Sequence, residues 1–265
     1  MSKMGEESKV EKKGLWSQIW VYALIAFSVF MVLFYIIRPI EEAAAADVTQ
    51  IIIIAFAAAC GAVFLFFAHH FNWFSTKTGQ MAVSIAVGFI LWTIAESIFF
   101  YYNKLGLELF PTPADIFYFI GYIPFAMALY LNIRTVVMKF KPAVRAIWII
   151  ASVAIFVVIL FYEFIPFLSD ITIYSLMVLY PLEAYIILVL VLVIVLKFRS
   201  GEIAKPWALL AIGFILDAIG TIWDTYLGYF DLSISAYDWY DLCFNLSYIA
   251  WFASGLYFIW LYKGR

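Results

Sequence analysis

Charge is scarce in this 265-residue chain: Asp, Glu, Lys and Arg together make up 13% of it, against about a quarter in soluble domains. That scarcity excludes a water-soluble globular fold. Cysteine is nearly absent, and Cys60 and Cys243 both fall inside apolar runs, where a thiol packs as a small hydrophobe rather than building a disulfide framework. No C-x-x-C, H-E-x-x-H or G-x-x-x-x-G-K pattern occurs, and a net charge of -2 leaves no electrostatic footprint for nucleic acid. Pro-, Gly- or Ser-rich linkers are missing too, so the chain does not read as disordered. What fills it instead is apolar: 67% hydrophobic and 21% aromatic residues, with a mean hydropathy of +1.01. The bilayer is the expected solvent, and no cofactor is expected.

A spanning helix needs about 20 mainly apolar residues, and eight runs qualify, at 16–37, 49–70, 80–102, 114–133, 145–166, 172–196, 206–228 and 238–262. The opening stretch 1–14 is polar and lysine-rich. The run after it is longer than a signal-peptide core, which points to a retained first span. Short connectors leave no room for a soluble domain. With the N-terminus inside, every Lys and Arg except Arg38 and Lys104 falls on the cytoplasmic side, as short inner loops require. An even number of spans keeps that alternation, so the expectation is an all-α integral membrane protein of the cell membrane with both termini cytoplasmic.

Gly88-Phe89-Ile90-Leu91 in the third span recurs as Gly213-Phe214-Ile215-Leu216 in the seventh. Ala86/Ala211, Ile94/Ile219 and Tyr101/Tyr226 match at the same offset, and Asp115, Tyr122 and Ile123 match Asp241, Tyr248 and Ile249 one residue later. The chain therefore reads as two four-helix repeats, 15–135 and 136–265. Four spans per half make the repeats parallel, related by an axis along the membrane normal. Helices three and seven would face each other across that axis, with any pocket between the halves.

Ionisable groups at mid-membrane are costly and mark function by default. Glu96, Glu183, Asp217 and Asp224 qualify. Asp217, Thr221 and Asp224 fall at i, i+4 and i+7, one face of the seventh span. Glu96 aligns with Thr221 by the repeat. Glu183 follows Tyr180-Pro181, where a proline kink frees backbone carbonyls to line a cavity. No basic residue lies mid-span. The set must be protonated, hydrated, or share a cation or cationic ligand; the alternative is that each acid ties helices together by hydrogen bonds. Asp115 and Asp241 open outward-starting helices, where a carboxylate suits the helix dipole, so each is either a cap or part of an acidic site. His69-His70 and the Trp and Tyr near span ends read as interfacial anchors.

Two segments are familiar. Ala114-Asp115-Ile116-Phe117-Tyr118-Phe119-Ile120-Gly121-Tyr122, running on to Arg134, and Leu179-Tyr180-Pro181-Leu182 resemble motifs of an uncharacterised polytopic membrane region that often precedes histidine-kinase or diguanylate-cyclase domains. The resemblance covers spans three, four and six to eight. It implies a membrane-embedded sensory or ligand-binding module. No output domain precedes Arg265, so a signalling partner would be a separate chain, meeting the cytoplasmic loops at 134–145 and 197–205, where anionic lipid would also bind.

Two functions follow as expectations. The first is a sensor or accessory binding module with an acidic ligand or cation site between the repeats, drawn from Glu96, Glu183, Asp217, Asp224, Thr221, Asp115 and Asp241. The alternative is a cation- or proton-coupled transporter or channel. An enzyme ranks third: the Gly-x-Gly-Asp context of intramembrane aspartyl proteases is missing, and hydroxyl or thiol nucleophiles lack a mid-span histidine base.

Overall fold

A computed structural model describes residues 18–37, 41–107, 111–134, 171–197, 201–229 and 239–262, with isolated helical positions at 150, 153 and 157. The fifth expected span, 145–166, otherwise lies outside the described residues, as does the polar stretch 1–14. Among the described residues seven helices are long and apolar enough to cross a membrane: α1 (Ile19–Ile37), α2 (Glu42–His70), α3 (Lys77–Lys104), α4 (Pro113–Arg134), α5 (Ile171–Lys197), α6 (Ala204–Tyr229) and α7 (Trp239–Tyr262). They are the structure of a multi-pass membrane protein.

Because lipid is as apolar as leucine, burial of apolar surface does not decide which faces meet; small residues and polar ties do. On α2, Ala45, Ala57, Cys60, Gly61 and Ala68 turn inward, and on α3, Ala82, Ala86, Gly88 and Ala95 do so. Ile51, Phe66, Ile90, Ile116 and Ile123 point outward to where acyl chains would lie. The α2–α3 turn is held by Thr76, whose Oγ1 accepts from the Gly79 N–H at 3.0 Å and donates to the Phe71 carbonyl at 2.7 Å. His69 and His70 are exposed beside Trp73 and Phe71, in keeping with an interfacial anchor.

Helix α3 packs between α2 and α4, and α6 packs between α5 and α7; α2 lies against α7, α4 against α5, and α1 against α7. Helices α3 and α6, the third and seventh spans expected to face each other, do not pack directly. Aromatic rings fill the space between them, and rings of that size hold two backbones apart. Phe89 and Phe125 have centroids 4.9 Å apart, and Phe214 and Trp251 5.0 Å. Across the centre, Phe89 meets Trp251 at 5.2 Å and Phe125 meets Phe214 at 5.5 Å. Two of the four rings lie over glycines: a Cβ on Gly88 would strike Phe125, and one on Gly213 would strike Trp251.

Candidate functional site

Glu96 sits on the inward face of α3 and is 8% exposed. A carboxylate there loses its water, and the loss is tolerable only if donors replace it. Gln50 of α2 donates from Nε2 to Oε2 at 2.8 Å, and Tyr248 of α7 donates its hydroxyl to Oε1 at 3.1 Å. The Tyr118 hydroxyl of α4 bonds the same carboxylate. Four helices thus meet at one side chain.

Asp217, equally buried on α6, is much less well served: the Tyr122 hydroxyl reaches its Oδ2 at 3.4 Å, at the long end of hydrogen-bond range. Glu183, placed on α5 just beyond Pro181, carries a buried Oε2 with no hydrogen-bond partner among the described residues. Asp224, two turns along α6 from Asp217, is exposed, and Thr221 between them is half-buried.

Tyrosines link these acids. Tyr180 donates to Asp115 Oδ1 and lies within electrostatic reach of Glu183 and Asp224. Tyr122 feels both Asp217 and Glu183, and Asp217 in turn feels Glu96. Asp115, Tyr118 and Tyr122 occupy one face of α4 at i, i+3 and i+7, so a single helix presents the acid and both hydroxyls to the neighbouring helices. Glu96, Glu183, Asp217 and Asp115 are thus linked through shared tyrosines into an acid layer, with Asp224 exposed at its edge.

Asp115 also closes the start of α4. Its Oδ2 accepts from the Thr112 N–H at 2.5 Å and from the Thr112 hydroxyl at 3.0 Å, the reach-back of a capping box. The cap and the tie to Tyr180 coexist on the two oxygens of one carboxylate. Asp241 is separate: it begins α7, and its backbone carbonyl accepts from Asn245 Nδ2 at 2.9 Å. The same amide reaches the Tyr35 hydroxyl of α1 at 3.3 Å.

Among the described residues no three His, Cys, Asp or Glu side chains converge closely enough to hold a metal ion. The ion pairs there, Lys104–Asp47 and Lys205–Glu202, lie at the ends of the bundle and outside this layer. Two cavities stand apart from it as well. One, of about 240 Å³, opens at the lysine-rich end between α2, α3, α4, α6 and α7; the other is a groove on α3 beside Thr93, Ser97 and Tyr101.

Gln50, Tyr118 and Tyr180 were not among the residues picked out by acid content. Their signal is helical phase: a lone amide in the long apolar run of α2, and hydroxyls in register with Asp115 and Glu183. No known protein family, curated protein or solved structure gives a significant match to the chain.

Proposed function

We propose that the protein is a membrane-embedded sensor or accessory binding module whose ligand is a small organic cation, held by Asp217 and Glu183 where α5 and α6 meet α4. The observation carrying this reading is the unequal treatment of neighbouring acids. Glu96 is saturated by donors from three other helices, which suits a fixed joint. Asp217 has one long contact and Glu183 an oxygen with none among the described residues, so the pair has acceptor capacity to spare. Buried acceptors left open favour a donor-rich, positively charged guest. An ammonium with two or three N–H groups fits that capacity, and no trio of ligands for a bare metal ion is present among the described residues.

The wider frame of the proposal is eight spans in two parallel repeats with cytoplasmic termini, in the cell membrane. Packing supports it: α2–α3–α4 and α5–α6–α7 have the same neighbour order, and α2–α7 mirrors α4–α5. The ring distances pair off under the same correspondence, and Tyr122 and Tyr248, matched by sequence, each cross to an acid of the other half. The resemblance to sensory membrane regions fits this frame, with a separate signalling chain docking on the basic loops.

The test is thermal unfolding of the purified chain with a panel of primary and quaternary amines, since a ligand bound only by the folded state stabilises it by RT ln(1 + [L]/Kd). A rise in Tm with an amine, abolished by Asp217→Asn and by Glu183→Gln, is expected. No rise with any amine, or a rise that survives both substitutions, refutes the reading.

A second reading rests on the alternation of carboxylate and hydroxyl from Asp115 through Tyr180, Glu183, Tyr122 and Asp217 toward Glu96, each able to carry a proton. It makes the protein a proton-coupled transporter. Proteoliposomes that show no proton flux under a pH gradient would exclude it.

A further inference from the structure

The cavity at the lysine-rich end takes no part in the acid layer. Its walls are Phe67, Met81, Trp207, Phe258 and Tyr262, and its polar lining comes from Lys77, Thr78 and Asn132. At about 240 Å³ it has room for a lipid glycerol-phosphate group with the first carbons of its chains, and it is half open rather than sealed. Phe67, Trp207 and Phe258 are buried and back the cavity from the core, while Leu131, Ile203 and Tyr262 are partly exposed at its walls. Trp207 and Phe258 brace one another at 5.3 Å, and Phe67 stacks on Phe258 at 5.2 Å.

The charged side chain that lines the cavity is Lys77, and exposed Glu202 beside the lining Ile203 is paired with Lys205. Lys77 is exposed in the first turn of α3 and has no ion-pair partner among the described residues. Lys197 is drawn to the same corner, its ammonium donating to the backbone and side-chain oxygens of Asn132, which lines the cavity. No carboxylate lines it. An aromatic chamber with a cation at its mouth is matched to a ligand that is apolar at one end and anionic at the other.

We propose that this cavity binds the phosphate of an anionic amphiphile, with Lys77 on the phosphate and the glycerol and upper acyl carbons against Leu131, Ile203 and Tyr262. It joins elements far apart in the chain, so its occupant would bridge α3–α4 to α6–α7. This site is independent of the Asp217–Glu183 site, and each can fail without the other.

The experiment is native mass spectrometry of the full chain released from nanodiscs of neutral phosphatidylcholine containing a minority of phosphatidylglycerol, with Trp fluorescence quenching by phosphatidylglycerol brominated near the headgroup as a second readout. Retention of phosphatidylglycerol over phosphatidylcholine is expected. Lys77→Gln should lower that preference about fivefold, the effect of one lysine at an anionic surface, and Lys77→Arg should keep it. Asp217→Asn and Lys104→Gln, far from the cavity, should leave it unchanged. Since Lys77 is exposed, an unaltered elution profile and Tm will show that Lys77→Gln is folded. Equal retention of both lipids, or an anionic preference unaffected by Lys77→Gln, overturns the proposal. Displacement of the lipid by soluble glycerol phosphate alone supports the phosphate site and identifies a soluble ligand as its source.

Discussion

Adding one methyl group at Gly88 tests whether the central rings set the spacing of the bundle. A Cβ there would lie 2.7–2.8 Å from three atoms of the Phe125 ring, whereas ordinary contact begins at 3.4 Å. Phe125 has nowhere to withdraw: it is fully buried and held by Phe89 and Trp92, each at 4.9 Å, and by Phe214 at 5.5 Å. Overpacking of this kind costs about 1–3 kcal/mol, and the better helix propensity of alanine returns at most about 1 kcal/mol. Gly88→Ala should therefore lose on the order of 1–2 kcal/mol in reversible unfolding by SDS in mixed micelles, followed by tryptophan fluorescence. Gly213→Ala, pressed against Trp251, should lose a similar amount. Gly61→Ala is the contrast: its Cβ meets Cγ1 of Ile90 at 3.2 Å, a few tenths of an ångström inside ordinary contact, and Ile90 is 40% exposed with room to shift outward. It should be within about 0.5 kcal/mol of wild type. Shortening the ring in Gly88→Ala/Phe125→Leu should recover part of the loss. If Gly88→Ala is as stable as wild type, or Gly61→Ala is as damaging, the rings do not set the helix spacing.

Other expectations are as direct. Tyr248→Phe removes a 3.1 Å donor from buried Glu96 and should cost about 1–3 kcal/mol in the same assay, while Tyr122→Phe, losing a 3.4 Å contact, should cost clearly less; the reverse order would mean that Glu96 is not the joint. Asp115→Ala deletes both the α4 cap and the tie to Tyr180, and should lower stability by at least the ~1 kcal/mol of a lost cap, whereas Asp115→Asn, keeping one acceptor, should lose less. Outside the membrane, hydrogen bonds from Lys205 and from the Tyr257 hydroxyl hold the Glu202 carboxyl below its ordinary 4.5. A depressed value stabilises the fold above about pH 4.5 and ceases to do so as pH falls through the lower folded value. Melting curves from pH 7 to 3 should show a low-pH loss that is smaller in Glu202→Gln; an identical loss in the variant would remove Glu202 from the account.

Residue chemistry made the spans legible because lipid imposes a length and a composition that nothing else in the sequence imitates. The mid-span acids stood out for the same reason. What those acids touch was not readable: with 18 tyrosines in the chain, Tyr118 and Tyr180 carry no mark until the helices are placed, and Gln50 is a single amide among isoleucines. The ring cluster was hidden differently, since Phe125 and Trp251 hold matching positions with different residues, so identity matching passes over them. That helices three and seven stand apart, with rings between them, was not readable, because repeat symmetry gives relative position but not what fills the space between.

The attachment of α1 has a consequence for how the protein is made. Its one close helix partner among the described elements is α7, through Met31 and Tyr35 against Leu242 and Ile249, although Phe27 also meets the Phe56 ring of α2. α1 leaves the ribosome before α7, so it enters the bilayer without that partner and has to wait, lipid on most sides, while about 200 further residues are made. Docking of α1 therefore cannot precede the synthesis of α7, and a nascent chain stopped short of α7 would leave α1 adrift and open to quality-control proteases.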